Sequence, residues 1–194
     1  MKGDRIVIEV PPHLKALADA FSNLLGKVAA TTKPNVGGRA VAYEEIEVDY
    51  GEAAAAVERA AHEATLASLD VDVPMITVGG VLHRRLFRHE GTYYTMAGEV
   101  RVLRTIYRRS GIRNAEVLDP ISRKVGAIGN GWLPKAARGI AYLMQQGSER
   151  EVENTGRKLG RLRYCASTFK RVGHEMGRLY RDHRADIEDQ LIEE

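Results

Sequence analysis

The sequence predicts an α+β fold: amino-terminal helices with a small antiparallel β-meander, then a carboxy-terminal three-helix unit resembling a helix-turn-helix. Three observations predict it. Apolar residues recur at helical spacing before residue 70 and again after residue 131, as on helices with one buried side. Between residues 72 and 109 the period falls to two, the spacing of strands. Capping signals then divide the last stretch into three helices. These changes divide the 194 residues into a helical region over 1–71, a meander and connector over 72–130, and helices over 131–194.

Arg5-Ile6-Val7-Ile8-Glu9-Val10 alternates and is expected to form a short strand stopped by Pro11-Pro12. From His13 to Ala29, Leu14, Leu17, Ala18, Phe21, Leu24, Leu25 and Val28 place an apolar stripe along a helix. Lys33 to Arg39, with Pro34, Gly37 and Gly38, is expected to be a linker or loop. A second helix follows from about Gly51 to Leu69, its smooth face made by Ala53, Ala56, Val57, Ala60, Ala61, Ala64 and Ala67. That face spans under three heptads, so intramolecular packing is expected of it rather than a coiled-coil seam.

In the meander, Met75–Val78 is expected to meet Val81–Phe87 across Gly79-Gly80, a two-residue hairpin signal. His89-Glu90-Gly91 is expected to turn into Thr92–Met96, and Ala97-Gly98 into Glu99–Arg108. Val100, Val102, Arg104 and Ile106 then share one face, with Arg101, Leu103, Thr105 and Tyr107 on the other. Tyr93-Tyr94 is expected to split between core and surface. Such a sheet needs helices to cover it. Ser110 to Asn130 is a connector with turn residues at Asp119-Pro120 and Asn130-Gly131.

The three last helices are punctuated by residue chemistry. Pro134 suits a first helical turn, where its missing donor costs nothing, and Ala137, Ile140, Ala141, Leu143 and Met144 supply a buried side. Gly147 suits a left-handed helix end. Ser148 with Glu151 forms a capping box for the next helix, which runs to about Leu159 and stops at Gly160. Ser167 is expected to cap the last helix, with Phe169, Val172, Met176, Leu179 and Tyr180 as its core stripe and Arg171, His174, Arg178 and Arg181 along another face.

Charge is divided unevenly along the chain. Arg101 to Arg184 holds 19 Lys/Arg against 7 Asp/Glu, a balance of +12 inside a chain whose net charge is only +3. That is the footprint of a polyanion binder. Ser167, Thr168, Lys170, Arg171, His174 and Arg178 lie on the last helix, and Arg157, Lys158, Arg161 and Arg163 lie before it. Arginine can bridge two acceptors of guanine, while Lys, Ser and Thr hold phosphates. These ten residues are the expected double-stranded DNA contacts. The segment from Lys158 to Ser167 is longer than the usual turn of a helix-turn-helix, which fits a looser trihelical variant.

Other chemistries are poorly served. No apolar run approaches the roughly 20 residues that cross a bilayer, and the amino terminus lacks a signal-peptide pattern, so no membrane partner and a cytoplasmic location are expected. Cys165 is the only cysteine, expected to be a small buried group, which rules out intrachain disulfides and zinc fingers. The histidines form no metal-ligand spacing: His83 and His89 read as surface or strand-face residues. The acidic cluster Asp186, Glu188, Asp189, Glu193, Glu194 reads as a solvated helix end. Gly126 to Gly131 is glycine-rich without the order of a phosphate-binding loop and reads as a turn. No cofactor or metal is expected.

An ordered series of short motifs carries a resemblance. Gly98-Glu99-Val100-Arg101-Val102 with Arg104-Thr105-Ile106-Tyr107-Arg108 comes first, then Val117-Leu118-Asp119-Pro120 and Leu133-Pro134-Lys135-Ala136-Ala137. Gly147-Ser148-Glu149-Arg150-Glu151-Val152-Glu153 and Ala166-Ser167-Thr168-Phe169-Lys170-Arg171 complete it. In this order, from about Val73 onward, the chain resembles the amino-terminal, non-catalytic half of a bacterial insertion-sequence transposase of the Kra group. The resemblance implies recognition of mobile-element ends. In such transposases a ribonuclease-H-like domain with metal-binding acidic residues follows this region. No strand–helix alternation for it remains here, so no enzyme is expected. Some relatives carry cysteines where this chain has Arg108-Arg109-Ser110-Gly111, so zinc is not expected there. A homo-oligomer or a full-length transposase are further candidate partners. The competing reading is a protein-interaction or assembly module regulating such a transposase, and a metal-dependent nuclease ranks last.

Overall fold

Pro12 opens the first helical segment, since a proline there has its φ preset and no donor to lose. Pro12–Leu14 is a 3-10 turn that leads into α1, Lys15–Thr31. The computed structural model describes residues 7–32 and 41–184, and the chain divides into two compact units, residues 1–64 and 65–194. In the first unit α1 is joined by α2, Tyr43–Ser68, which continues into the second. α2 begins well before the expected Gly51, with Glu44 and Glu45 complementing the positive end of the helix dipole in its first turn. Lys27 Nζ reaches Asp49 Oδ1 at 2.9 Å, and the hydroxyls of Thr31 and Tyr50 meet nearby. Ala53 and Ala60 of the expected alanine face are buried. The strand expected over residues 5–10 is corrected for its described part: Val7–Val10 are exposed and unpaired, and a lone strand leaves its backbone groups to water. Arg5 and Ile6, and the expected linker from Lys33 to Arg39, lie outside the described residues.

In the second unit four antiparallel strands lie in the order β1-β2-β3-β4: Met75–Val78, Val81–Thr95, Gly98–Arg109 and Val117–Leu118. Gly79 and Gly80 take φ of 58° and 75°, the left-handed pair that a type I′ hairpin turn demands. The turn expected at His89-Glu90-Gly91 does not form. β2 runs through it, with Gly91 opposite Val102 and a register shift between Arg85 and Phe87. Gly91 serves close approach instead, because a Cβ there would collide with the Arg104 side chain. Val100, Val102 and Ile106 are buried as one face. Thr105 and Tyr107, of opposite parity, are buried as well, because the segment after α2 folds over them. Asp70 accepts from Thr105 N at 2.8 Å, and the Tyr107 hydroxyl donates to Val71 O at 2.5 Å.

The connector holds β4 and a short helix, α3, Pro120–Val125, in addition to the expected turns. Asp119 Oδ1 caps α3, accepting from Ile121 N at 2.9 Å and Ser122 N at 3.2 Å, and Gly126 closes it at φ 63°.

Three further helices follow among the described residues: α4, Pro134–Gln146; α5, Glu149–Lys158; and α6, Ala166–Asp182. Ala136, Ala137, Ile140, Val152, Leu162, Phe169 and Val172 form their shared core with Trp132. Successive strand residues point to opposite faces, so Tyr93 and Tyr94 seed two different cores. Tyr93 packs with Leu66, Val100, Val102 and Ile121. Tyr94 stacks on Trp132 with ring centroids 4.4 Å apart, so it is not the surface residue expected of one member of this pair. Backbone bonds from Tyr94 N to Gly131 O (2.9 Å) and from Leu133 N to Tyr94 O (3.0 Å) tie the helices to the sheet. Among the described residues no helix is long and apolar enough to cross a membrane.

Candidate nucleic-acid interface

The α5–turn–α6 segment positions the ten expected DNA contacts. Ser148 starts α5, where the Glu151 carboxylate accepts from Ser148 N at 2.7 Å and from its hydroxyl at 2.8 Å. Those hydrogen bonds hold the Glu151 carboxyl below the ordinary range. Gly147 is extended, at φ −175°, and the left-handed end expected there is corrected. The tight space is on its side-chain position, where a Cβ would sit 2.9 Å from Glu151 Oε2, so glycine admits the capping carboxylate.

The long turn is held by packing. Leu162 is buried at φ 51°, a backbone position that branched or bulky side chains seldom take, and its amide donates to Met96 O at 3.2 Å. Burial of its side chain in the helical core offsets a strain of about 1–3 kcal/mol. Gly156, inside α5, lets the turn return against the helix, since a Cβ would lie 2.9 Å from Leu162 O. Arg161 and Arg163 are thereby exposed on either side of the anchored leucine.

Phe169 and Val172 bury one side of α6, with Met176 packed beside them. At about 100° per residue, Lys170, Arg181, His174, Ser167, Arg178 and Arg171 fall in that angular order on the opposite side. All six are exposed. Thr168 is half-buried and lies off this arc, with its hydroxyl 3.3 Å from Cys165 Sγ. Arg157 and Lys158 are exposed at the end of α5. Arg157 meets Glu153 at 2.7 Å, Arg178 meets Glu175 at 2.7 Å, and Lys170 lies 3.9 Å from Glu149. Surface pairs of this kind are worth about 0–1 kcal/mol each, little enough for a phosphate to replace them. Of the expected core stripe, Tyr180 is exposed at 48%.

Two expectations at the start of α6 are corrected. Cys165, not Ser167, is the residue before the first helical turn, and the Glu153 carboxylate accepts from Ala166 N at 3.2 Å. A side chain from α5 thus takes the capping role that Ser167 was expected to fill, leaving Ser167 on the exposed arc. Cys165 is exposed rather than buried. Hydrogen bonds from the Ser167 and Thr168 hydroxyls and the Thr168 amide bring its thiol down to about 7.

A polar cluster under β3 escaped the sequence reading. Asp119 Oδ2 accepts from Ser122 Oγ at 2.6 Å, from the Tyr93 hydroxyl at 2.8 Å, and from Arg104. The Arg104 guanidinium also lies 5.6 Å from the Tyr93 ring centroid. Burial, reinforced by Asp119 against an opposing hydrogen bond from Ser122, pushes the Tyr93 hydroxyl up to about 12. Burial would also raise Asp119, but hydrogen bonds from Ser122 and Tyr93 and the Arg104 charge outweigh it and hold the carboxyl low. The Asp119-Pro120 pair announces a turn in sequence, yet nothing local places Arg104 beside it.

This cluster yields a signed pH prediction. A carboxyl depressed in the folded state contributes stability above its unfolded value, about 4, and loses it as pH falls through the folded value. Asp119→Asn is expected to cost about 1–3 kcal/mol at pH 7. The difference from the parent should shrink below about pH 4, as read from urea titrations across pH.

Among the described residues no group of three or more His, Cys, Asp or Glu is placed to hold a metal ion. The geometry therefore defines an α+β protein with a pinned three-helix cluster and a cationic, solvent-facing helix. No protein-family model, curated protein or solved structure matches the chain.

Proposed function

We propose that the chain is a double-stranded DNA-binding module of a transposase-like protein, with α6 as the helix that enters the groove. The carrying observation is the arc of Lys170, Arg171, His174, Arg178 and Arg181, exposed opposite the buried Phe169 and Val172. A rigid helix with guanidinium groups on its solvent side suits major-groove base edges. Arg157, Lys158, Arg161 and Arg163 supply phosphate contacts in this reading, and the described residues bind DNA rather than cut it. The resemblance of the ordered motifs to those of Kra-group transposases favours a mobile-element end as the target.

The test is a fluorescence titration of the full chain with labelled duplexes at several salt concentrations. Affinity is expected to fall steeply with salt, by roughly 10³-fold or more between about 50 and 200 mM for six or more phosphate contacts. No affinity at low salt overturns the proposal. A second reading, assembly, is favoured by exposed apolar residues on α1 and α2: Phe21 (42%), Leu25 (52%) and Tyr43 (63%). Light scattering with and without duplex separates the two, because assembly predicts a DNA-independent oligomer.

A further inference from the structure

The β2–β3 ribbon carries arginines of two kinds. Arg85 and Arg88 pair with Asp72, Arg88 also with Asp70, Arg101 with Glu90, and Arg104 with Asp119. The side chains of Arg84, Arg108 and Arg109 make no ion pair among the described residues. These three lie together at the ribbon end nearest the Gly79-Gly80 turn. Register puts Arg84 directly opposite Arg108, and His83 directly opposite Arg109. Successive pairs face opposite sides of a sheet, so cationic pairs occupy both faces of this end.

Like charges directly opposite across two strands destabilise a sheet. Folding alone gives no reason to put Arg84 against Arg108. Arg108 is also half-buried, with its Nε shielded from water and without a hydrogen-bond partner. A charge that is partly desolvated and uncompensated is costly, and a bound anion offsets that cost. His83 completes the group, its Nδ1–H donating to Val81 O at 2.9 Å.

An open groove of about 920 Å³ adjoins this end, lined by His83, Arg104, Arg109, Arg123, Glu116 and Asp119 among others. Asp119 is already engaged by Arg104, Ser122 and Tyr93, which leaves Glu116 as the groove's exposed acid. We propose that this end of the ribbon, built on Arg84, Arg108 and Arg109 with His83, is a second binding site for phosphodiester backbone, separate from the α6 face. Guanidinium forks match phosphate oxygens two at a time. The proposal rests on the nucleic-acid reading above and extends it to two contacts on one unit.

The experiment measures the slope of log affinity against log salt for the full chain on a duplex. The variants are Arg84→Gln with Arg109→Gln, the matching lysine pair, and Arg171→Ala. Each lost phosphate contact removes about 0.9 from the slope, so the glutamine pair is expected to flatten it by about 2 and the lysine pair to keep it. Removing the repulsion should also leave the melting temperature unchanged or raised. If the glutamine pair melts lower, the lysine pair decides: a restored slope supports the site, and an unrestored one overturns it. An unchanged slope in the glutamine pair overturns the ribbon site while leaving the α6 reading intact. Loss of binding in the glutamine pair with none in Arg171→Ala supports the ribbon and removes α6. Absence of duplex binding by the parent chain overturns both. Binding to phosphatidylserine vesicles that duplex does not compete away, and that the glutamine pair loses, overturns the site in favour of a membrane surface.

Discussion

Arg171→Ala is expected to lower affinity for a preferred duplex by about 10- to 100-fold, the worth of one bidentate arginine–guanine contact of roughly 1–3 kcal/mol. Affinity for an unrelated duplex should fall much less, so the ratio between the two collapses. Arg171 is exposed on the α6 arc, clear of the Phe169 and Val172 side, so the substitution removes a contact without opening the core. Lys158→Ala is the contrast. At the end of α5, next to the long turn, it is assigned a phosphate, and its loss should weaken all duplexes alike and reduce the salt slope by about 1. Competition titrations with a selected and a scrambled duplex measure both effects. Identical behaviour of the two variants would show that α6 is not the helix that reads bases.

The largest stability effect is expected at Phe169. Its side chain is fully buried, at 0% exposure, among Ile140, Val152, Leu162 and Val172. Truncation to alanine removes the apolar contacts and leaves a cavity that α4, α5 and α6 cannot close without shifting, a cost of about 3–5 kcal/mol. Tyr180→Ala, about three turns along the same helix at 48% exposure, should change stability by well under 1 kcal/mol. Urea denaturation followed by circular dichroism compares them, and similar midpoints would place α6 outside the cooperative core. Phe169→Ala should also weaken DNA binding through loss of the helix's orientation, with Arg171 itself untouched.

Some of this was legible locally. Gly79-Gly80 names its own turn, because only left-handed φ values close a two-residue hairpin. Pro134, and Ser148 with Glu151, mark helix starts because they act on backbone groups within a single turn. The six exposed α6 residues could be placed on one arc by counting, since helical geometry is itself local. Other residues have local meanings that a distant neighbour overrides. Gly91 suggests a turn, yet it sits in a continuous strand to leave room for Arg104. Gly147 suggests a left-handed cap and is extended for the sake of Glu151. Cys165 suggests a buried thiol and is exposed, because Leu162 is the residue of that turn which reaches the core.

By itself the sequence determined the mixed α+β class, the capping box of α5 and the make-up of the cationic arc, all set by interactions within a few residues. Only tertiary structure decided that Tyr93 and Tyr94 anchor separate cores, that Asp119 gathers Arg104, Tyr93 and Ser122, and that Arg84 stands against Arg108. Those pairings join residues far apart in the chain. They depend on strand register and packing, which no short-range pattern encodes.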